Sequence, residues 1–280
     1  MYLFLLIMIQ GIGECLPISS SAHLYFLTRI FGYPPTSLEV EVALHLGSLI
    51  AIVLFLFQKL QSLLIESVQA IVTFQMTKGA KTTLGLICAT LPAVFAGFIV
   101  KRYFPMEQTL FAIGVVSVIF GLLLILSDKT KNNSGQDLHS KDIGEDTHFK
   151  NSGNDLQLKD AWMIGLAQIF AFIPGASRLG VCLTAARFLK ITRWQASEYA
   201  FLLAIPTILG AVVLTGFDIV KEDRLDTLLP LIPAIAFTSI LSLFVLKGFK
   251  FYVTRYSFKP FGVYRIILGV FLVLLAYIKL

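Results

Sequence analysis

Long apolar stretches separated by short polar ones run along most of the chain, and they predict membrane-spanning helices. About 20 apolar residues make one span, and six stretches approach or reach that length. None has the period-2 alternation of outer-membrane strands, so all six are predicted to be α-helical. The predicted spans are residues 40–57, 83–100, 109–126, 198–216, 228–246 and 261–280.

Two further apolar regions are too short to span, and a proline breaks each of them. Short arms around a polar turn are typical of a re-entrant helical hairpin, which a membrane tolerates only where protein or a cavity surrounds it. We therefore predict an all-α polytopic membrane protein with six transmembrane helices and two re-entrant helical hairpins. The arms are residues 1–14 and 22–31 around Pro17, and residues 161–172 and 180–189 around Pro174.

The two hairpins divide the single membrane domain into similar halves, residues 1–126 and residues 161–280. Each half starts with a hairpin and continues with three spans, so the second hairpin enters from the opposite side. This layout predicts an inverted-topology repeat. Aligned on their prolines, the hairpins match Ser20 with Ser177.

The segment between the halves, residues 127–160, is poor in apolar residues and is predicted to be a solvent-exposed loop. Its histidines, His139 and His148, are interpreted as solvated side chains rather than metal ligands. Lysine and arginine concentrate in this loop and in three other connections, which together hold 15 of the 23 basic residues. By the positive-inside rule this side is cytoplasmic, so the first hairpin enters from outside and the second from inside.

Composition supports a membrane protein and disfavours several other classes. The chain is 56% hydrophobic and 14% charged, whereas soluble domains carry about 25% charged residues. The basic residues lie in short loops, so the net charge of +6 indicates no nucleic-acid partner. The three cysteines have no CxxC spacing, which disfavours a zinc site or a disulfide framework.

The turn of the first hairpin carries polar groups that hydrocarbon does not tolerate without partners. Gln10 lies one helical turn before Glu14, which is interpreted either as a ligand for a divalent cation on a diphosphate or as a base. His23 either attacks phosphorus directly or activates Ser20. The alternatives are that His23 only satisfies a buried carbonyl and that Ser19 and its neighbours only cap a helix.

The second hairpin turn is similar in sequence and also contains an arginine. Gly175, Ser177 and Arg178 come before its second helical arm. A helix N-terminus favours anions, and the planar arginine fork matches phosphate oxygens. We predict that the two turns meet inside the membrane and form an anion site. The rival role for Arg178 is a structural ion pair with Glu14. His45 is interpreted as the local partner of Glu41 near the outer surface.

Both turns resemble signatures of the bacterial undecaprenyl-pyrophosphate phosphatases, the bacitracin-resistance family. The similarity extends over nearly the whole chain outside the 127–160 loop. Leu179 stands where the family usually has serine, and Cys182 where it has threonine. The first signature, (Glu/Gln)-x-x-x-Glu followed by Pro-x-Ser-Ser and His, falls on Gln10, Glu14, Pro17, Ser19, Ser20 and His23. The second, Pro-Gly-x-Ser-Arg-Ser-Gly-x-Thr, falls on Pro174, Gly175, Ser177, Arg178 and Gly180.

The resemblance implies hydrolysis of undecaprenyl diphosphate to the monophosphate carrier of peptidoglycan synthesis, in the bacterial inner membrane, with bacitracin resistance as a consequence. It further implies a divalent cation, Mg²⁺ or Ca²⁺, and an active site open toward the periplasm. Gln10 and Glu14 would place the metal-bound diphosphate, and Ser19 would also bind the substrate. Ser177, Arg178 and the backbone of Gly175 would stabilise phosphoryl charge. The nucleophile would be His23 or Ser20.

Two rival functions stay open at this point. Broken helices in an inverted repeat are also the plan of transporters, so a flippase of the lipid carrier or a transporter of a small anion is the alternative. An inactive lipid-binding relative is the second, because Leu179 and Cys182 depart from the family pattern. The partners are the lipid substrate and the bilayer, and a homodimer is left open.

Overall fold

A computed structural model describes residues 1–103, 109–129, 157–222 and 225–279, and within these ranges the secondary structure is helical, without a strand. Six helices are long and apolar enough to cross a membrane, namely α3, α5, α6, α9, α10 and α11, which confirms the predicted spans. The helices are α1 Tyr2–Gly13, α2 Ser20–Phe31, α3 Leu38–Phe55, α4 Phe57–Thr73, α5 Lys78–Tyr103, α6 Leu110–Asp128, α7 Leu158–Gln168, α8 Arg178–Phe188, α9 Arg193–Lys221, α10 Ile232–Val253 and α11 Lys259–Lys279.

The four helices α1, α2, α7 and α8 have only 11 or 12 residues each, as the broken apolar stretches predicted. Helix α1 packs against α10, the second span of the other half, and α7 packs against α5, the second span of the first half. If a two-fold axis relates the two halves, each contact of this kind must have a counterpart in the other half, and these two contacts are such a pair. The re-entrant placement of the short helices in the bilayer stays a prediction.

Glycines let the last spans of the two halves, α6 and α11, approach backbone to backbone. A Cβ on Gly114 would lie 2.7 Å from the carbonyl oxygen of Gly269, and one on Gly121 would lie 2.9 Å from that of Gly262. Small residues of this kind allow close helix packing in membranes, where van der Waals contact is the main attraction between helices. The α6–α11 pair therefore forms a further contact between the two halves.

Most of the connection between α3 and α5 forms a helix, α4, which the sequence analysis does not predict. Ser67 on one face of α4 donates to Thr83 Oγ1 over 3.0 Å, and the Glu66 carboxylate accepts from the amide of Gly79 over 2.7 Å. The opposite face is apolar and exposed, which is typical of a helix lying along a membrane surface. Its exposed side chains are Leu64, Ile65, Val68, Ile71 and Val72.

Asp128 at the end of α6 contacts residues from three other parts of the chain. Its carboxylate accepts from Arg193 Nε over 2.8 Å and from the backbone amide of Phe258 over 2.9 Å, and it lies 3.3 Å from Arg187 Nε. Asp128 and its partner Arg187 are buried. Residues 130–156 of the predicted loop, including His139 and His148, lie outside the described residues. The predicted end of the loop at residue 160 is too late, because α7 begins at Leu158.

Candidate active site

A cavity of about 270 Å³ lies where the turns of the two helix pairs meet. Helices α3, α5 and α9 complete its wall, with apolar residues such as Ala93 and Ile208. We call it the central cavity. The polar residues that line it are Glu14, Ser19, Ser20, Ser21, His45, Gln168, Ser177, Arg178 and Thr207.

The first turn brings a serine and a carboxylate together at the cavity. Ser19 has a left-handed backbone, with φ 71°, and its side chain caps α2 by accepting from the amide of Ala22 over 3.4 Å. Because α2 starts so sharply, its first residue, Ser20, packs against Gly13. A Cβ on Gly13 would lie 2.9 Å from Ser20 Cα. Ser20 Oγ then donates to Glu14 Oε2 over 3.3 Å.

The second turn has the same construction and presents a cation. Ser177 has φ 65° and caps α8, where its hydroxyl accepts from the amide of Gly180 over 3.3 Å. Gly175 has φ 93°, and a Cβ there would lie 2.8 Å from the carbonyl oxygen of Ile113, so only glycine fits. Arg178 is the first residue of α8 and lines the cavity.

The two capping serines show which positions of the hairpins correspond. Ser19 and Ser177 share the left-handed backbone and the capping role, so Ser20 corresponds to Arg178. The alignment on the prolines, which matched Ser20 with Ser177, is therefore shifted by one residue. The turn after Pro174 is one residue longer than the turn after Pro17.

An ion pair between Glu14 and Arg178 joins the two turns. The same carboxylate accepts from Gln10 Nε2 over 3.2 Å, and Arg178 Nη1 donates to Thr207 Oγ1 over 2.9 Å. The predicted meeting of the two turns and the predicted pair between these residues are both present. The site combines a carboxylate, a hydroxyl and a guanidinium within one cavity, which is a set suited to phosphoryl chemistry.

His23 is held away from the lining of the cavity. Its Nδ1 lies 2.7 Å from the carbonyl oxygen of Ser19, and its Nε2 lies 2.6 Å from the hydroxyl of Tyr264, on which the ring also stacks. Among the described hydrogen bonds none joins His23 to Ser20, although the two are three residues apart. The structure therefore shows His23 in a supporting position next to the first turn, and its predicted catalytic role stays a prediction.

The interpretation of His45 as the local partner of Glu41 leaves out a second position of this side chain, because His45 also lines the cavity. Its Nδ1 lies 2.8 Å from the backbone carbonyl oxygen of Glu41, four residues earlier in α3. Because a carbonyl only accepts, Nδ1 carries the proton and Nε2 of the neutral ring keeps its lone pair. No sequence motif marks His45, Gln168 or Thr207 as site residues, since packing alone brings them to the hairpins.

A fully buried arginine, Arg265 of α11, supports the second turn from behind. Its Nη2 donates to the carbonyl oxygens of Gly175 and Ala176 over 2.9 and 2.7 Å. Across the described ranges, no ion pair joins it to a carboxylate, and its Nε and Nη1 have no hydrogen-bond partner. These two hydrogen bonds satisfy the carbonyl groups of the turn, while the amide of Ala176 donates to the carbonyl oxygen of Ile173 over 3.0 Å.

The cavity fits a divalent cation only if a ligand brings part of the coordination shell. The described residues contain no group of three or more histidine, cysteine, aspartate or glutamate side chains placed to hold a metal. Glu14 is the single carboxylate among the lining residues within the described ranges. Magnesium is often bound by one carboxylate together with substrate phosphates, and this donor set agrees with that mode.

Comparison with known proteins gives consistent results over the whole chain. The family model described as bacitracin resistance protein BacA matches residues 3–271. A protein of Roseobacter denitrificans named undecaprenyl-diphosphatase is 35% identical over 278 residues, covering 99% of this chain and 98% of the relative. Proteins with the same name from Pelagibacter ubique and Alteromonas mediterranea are 35% and 32% identical, covering 98% and 95% of this chain and 97% and 95% of the relatives.

Proposed function

The chain belongs to the family of the bacitracin resistance protein BacA, and from this premise we propose what its central cavity does. It hydrolyses undecaprenyl diphosphate to undecaprenyl phosphate and inorganic phosphate, as the names of its relatives state for them. The protein is a multi-pass membrane phosphatase. The rival reading as a transporter or flippase receives no support from those names.

The main support for the proposal is that one cavity is lined by Glu14, Ser20, Ser177 and Arg178. The diphosphate lies between the N-termini of α2 and α8, whose free amides and dipoles favour an anion. The prenyl chain leaves along the apolar wall formed by α5 and α9. Transport of a lipid needs no hydroxyl hydrogen-bonded to a carboxylate, whereas hydrolysis uses that arrangement.

Ser20 is the nucleophile that the geometry supports best. Its Oγ attacks the terminal phosphorus and its proton passes to Glu14, to which it already donates. The bond from phosphorus to the bridging oxygen breaks, and undecaprenyl phosphate leaves with the electron pair. Water then cleaves the phosphoserine, regenerating Ser20 and releasing phosphate. His23 is the alternative nucleophile of the sequence analysis and needs to leave Tyr264 first.

Arg178 stabilises the charge that builds on the phosphoryl oxygens. In the empty cavity it pairs with Glu14 and is also anchored to Thr207. An arriving diphosphate competes for its guanidinium, which binds phosphate oxygens in a bidentate way. The backbone amides at Gly175 and Ser177 add donors that are already in place, and preorganised donors of this kind account for much of phosphoryl-transfer catalysis.

A divalent cation, Mg²⁺ or Ca²⁺, would bind at this site together with the diphosphate. Glu14, assisted by Gln10, is the residue that would hold it, and the cation would neutralise phosphate oxygens. The excess of basic residues on the predicted cytoplasmic side supports a cavity that opens toward the periplasm. A homodimer stays a prediction without a described interface.

The test is phosphate release from farnesyl diphosphate by the purified protein in detergent, with and without a chelator. We expect release that stops when the chelator is added and returns with Mg²⁺ or Ca²⁺. A protein that binds the lipid and moves it across liposomes, yet releases no phosphate under any cation, would refute the proposal in favour of the transporter. If the chelator leaves phosphate release unchanged, the proposed need for a cation is refuted but the proposed hydrolysis is not.

A further inference from the structure

Gln168, the last residue of α7, is a buried amide with an unused donor beside the central cavity. The residue lines the cavity and is 2% exposed. Its Oε1 accepts from Cys182 Sγ over 3.5 Å, which sets the orientation of the amide. Its Nε2 has no hydrogen-bond partner among the described residues. Buried donors are almost always satisfied in folded proteins, so an unused one beside a binding cavity calls for an acceptor.

The other half of the molecule shows what the acceptor would be. Gln10 and Gln168 each lie nine residues before a capping serine, Ser19 or Ser177, and so have comparable places in the two hairpins, although their distances from Pro17 and Pro174 differ by one residue. Gln10 is equally buried, at 1% exposure, and its Nε2 donates to the carboxylate of Glu14, four residues later. An anionic oxygen is thus the partner of this amide in the first half.

In the second half that anionic partner is missing from the chain itself. The residue four positions after Gln168 is Phe172, which lines the same cavity and offers no acceptor. The groups that line the cavity nearby include Ser177 and Arg178, which attract an anion. An anionic ligand in the cavity would therefore supply the oxygen that Glu14 supplies to Gln10.

We propose that Gln168 binds the diphosphate directly, by donating from Nε2 to a non-bridging phosphate oxygen. This inference rests on the proposed function and adds a substrate-binding residue to it. The phosphate then lies between donors of two kinds, the guanidinium of Arg178 and the amide of Gln168. A single carboxylate in the first half and a single free amide in the second make the two ends of the cavity chemically different, which fixes the orientation of the diphosphate.

The test measures binding with inorganic pyrophosphate, a probe that needs no lipid chain. Gln168→Met is an apolar near-isostere that removes the unused donor without burying a new polar group, so its thermal stability should equal or exceed that of the wild type. We expect its inhibition constant for pyrophosphate, and its KM for farnesyl diphosphate, to rise 10- to 100-fold, or about 1.4 to 2.7 kcal/mol. kcat should change less.

The matched control is Cys182→Ala, which changes the other contact of the same amide and leaves Nε2 in place. Its inhibition constant should stay within about threefold of the wild type. Gln168→Asn, which withdraws the amide by one methylene group, should give an intermediate loss. Folded Gln168→Met or Gln168→Asn protein with unchanged pyrophosphate inhibition and unchanged KM would overturn the inference, since water would then satisfy the amide.

The two proposals can fail separately. Stabilisation of the detergent-purified protein by pyrophosphate, read as a shift of its melting temperature, requires no hydrolysis. If the wild type is stabilised and Gln168→Met is not, the inference holds even when no phosphate is released. If the wild type releases phosphate and the variant is stabilised to the same extent, the proposed function holds and the inference fails.

Discussion

Arg178 and Glu14 are 164 residues apart in the chain, and their side chains form the ion pair that joins the two hairpin turns. Both are largely buried, with side-chain exposures of 21% and 10%. The sequence posed a structural pair and a catalytic arginine as rival roles for Arg178. The structure contains the pair, and the catalytic role of Arg178 stays a prediction.

Arg178→Gln should lower kcat/KM for farnesyl diphosphate by at least about 10³, because the main phosphate donor is lost. It should also lower the free energy of unfolding by about 3 kcal/mol, since Glu14 is left buried without its cation. The double variant Glu14→Gln/Arg178→Gln should regain most of that stability and none of the activity. Denaturant unfolding and phosphate release measure the two effects. Equal stability of the single and double variants would contradict a buried, energetically coupled pair.

Ser20→Ala should lower kcat/KM by at least about 10²-fold, because the hydroxyl that lines the cavity and donates to Glu14 is lost. His23→Gln should cost less, about tenfold, because the ring acts through Ser19 and Tyr264. Ser21→Ala is the control and should stay within about threefold of the wild type. Rapid quenching with radiolabelled substrate identifies the nucleophile, since phosphoserine survives acid and phosphohistidine does not. Acid-labile label in the Ser20→Ala variant would make His23 the nucleophile.

His45→Phe should lower kcat/KM by about 10²-fold, because the cavity loses the imidazole whose Nε2 is available to accept a proton from the water that cleaves the phosphoserine. The control is Glu41→Gln, which keeps the backbone carbonyl that orients the ring and should stay within about threefold of the wild type. Single-turnover phosphate release separates the chemical step from product release. An unchanged single-turnover rate in His45→Phe would remove His45 from the chemistry.

Gly269→Ala should lower the free energy of unfolding by about 1–3 kcal/mol, because the new Cβ would lie 2.5 Å from the carbonyl oxygen of Gly114 in the facing helix. Gly210→Ala in α9 provides the control, since a Cβ there meets nothing within 4 Å. The control should be neutral or slightly stabilising, because alanine favours a helix over glycine. Thermal unfolding in detergent measures both. A Gly269→Ala protein as stable as the control would show that α6 and α11 separate easily.

Hydropathy alone was enough to predict the membrane framework of this protein. A span needs a fixed length of apolar residues, so the six crossings could be found without knowledge of packing. The prolines and the polar turns around Glu14 and Arg178 predicted the broken helices and their meeting, because such groups need partners in a membrane.

What the sequence could not predict depended on which face a helix turns to its neighbours. Ser20 and His23 lie one turn apart on α2, yet Ser20 donates to Glu14 while His23 packs on Tyr264 of α11. His45 reaches the cavity only because α3 packs beside the hairpins. Helix α4 was missed because its apolar residues alternate with Gln, Glu and Ser, which lowers the mean hydropathy although most side chains on its exposed face are apolar.

Arg265 has a consequence for the electrical balance of the protein's interior. Glu14 and Arg178 cancel each other, and within the described ranges no acid offsets the buried guanidinium behind the second turn. The resting molecule thus holds one surplus positive charge at its centre, surrounded by a medium of low polarizability in which such a charge is costly. A bound diphosphate is the missing counter-ion, so occupancy of the site should make the whole fold harder to unfold.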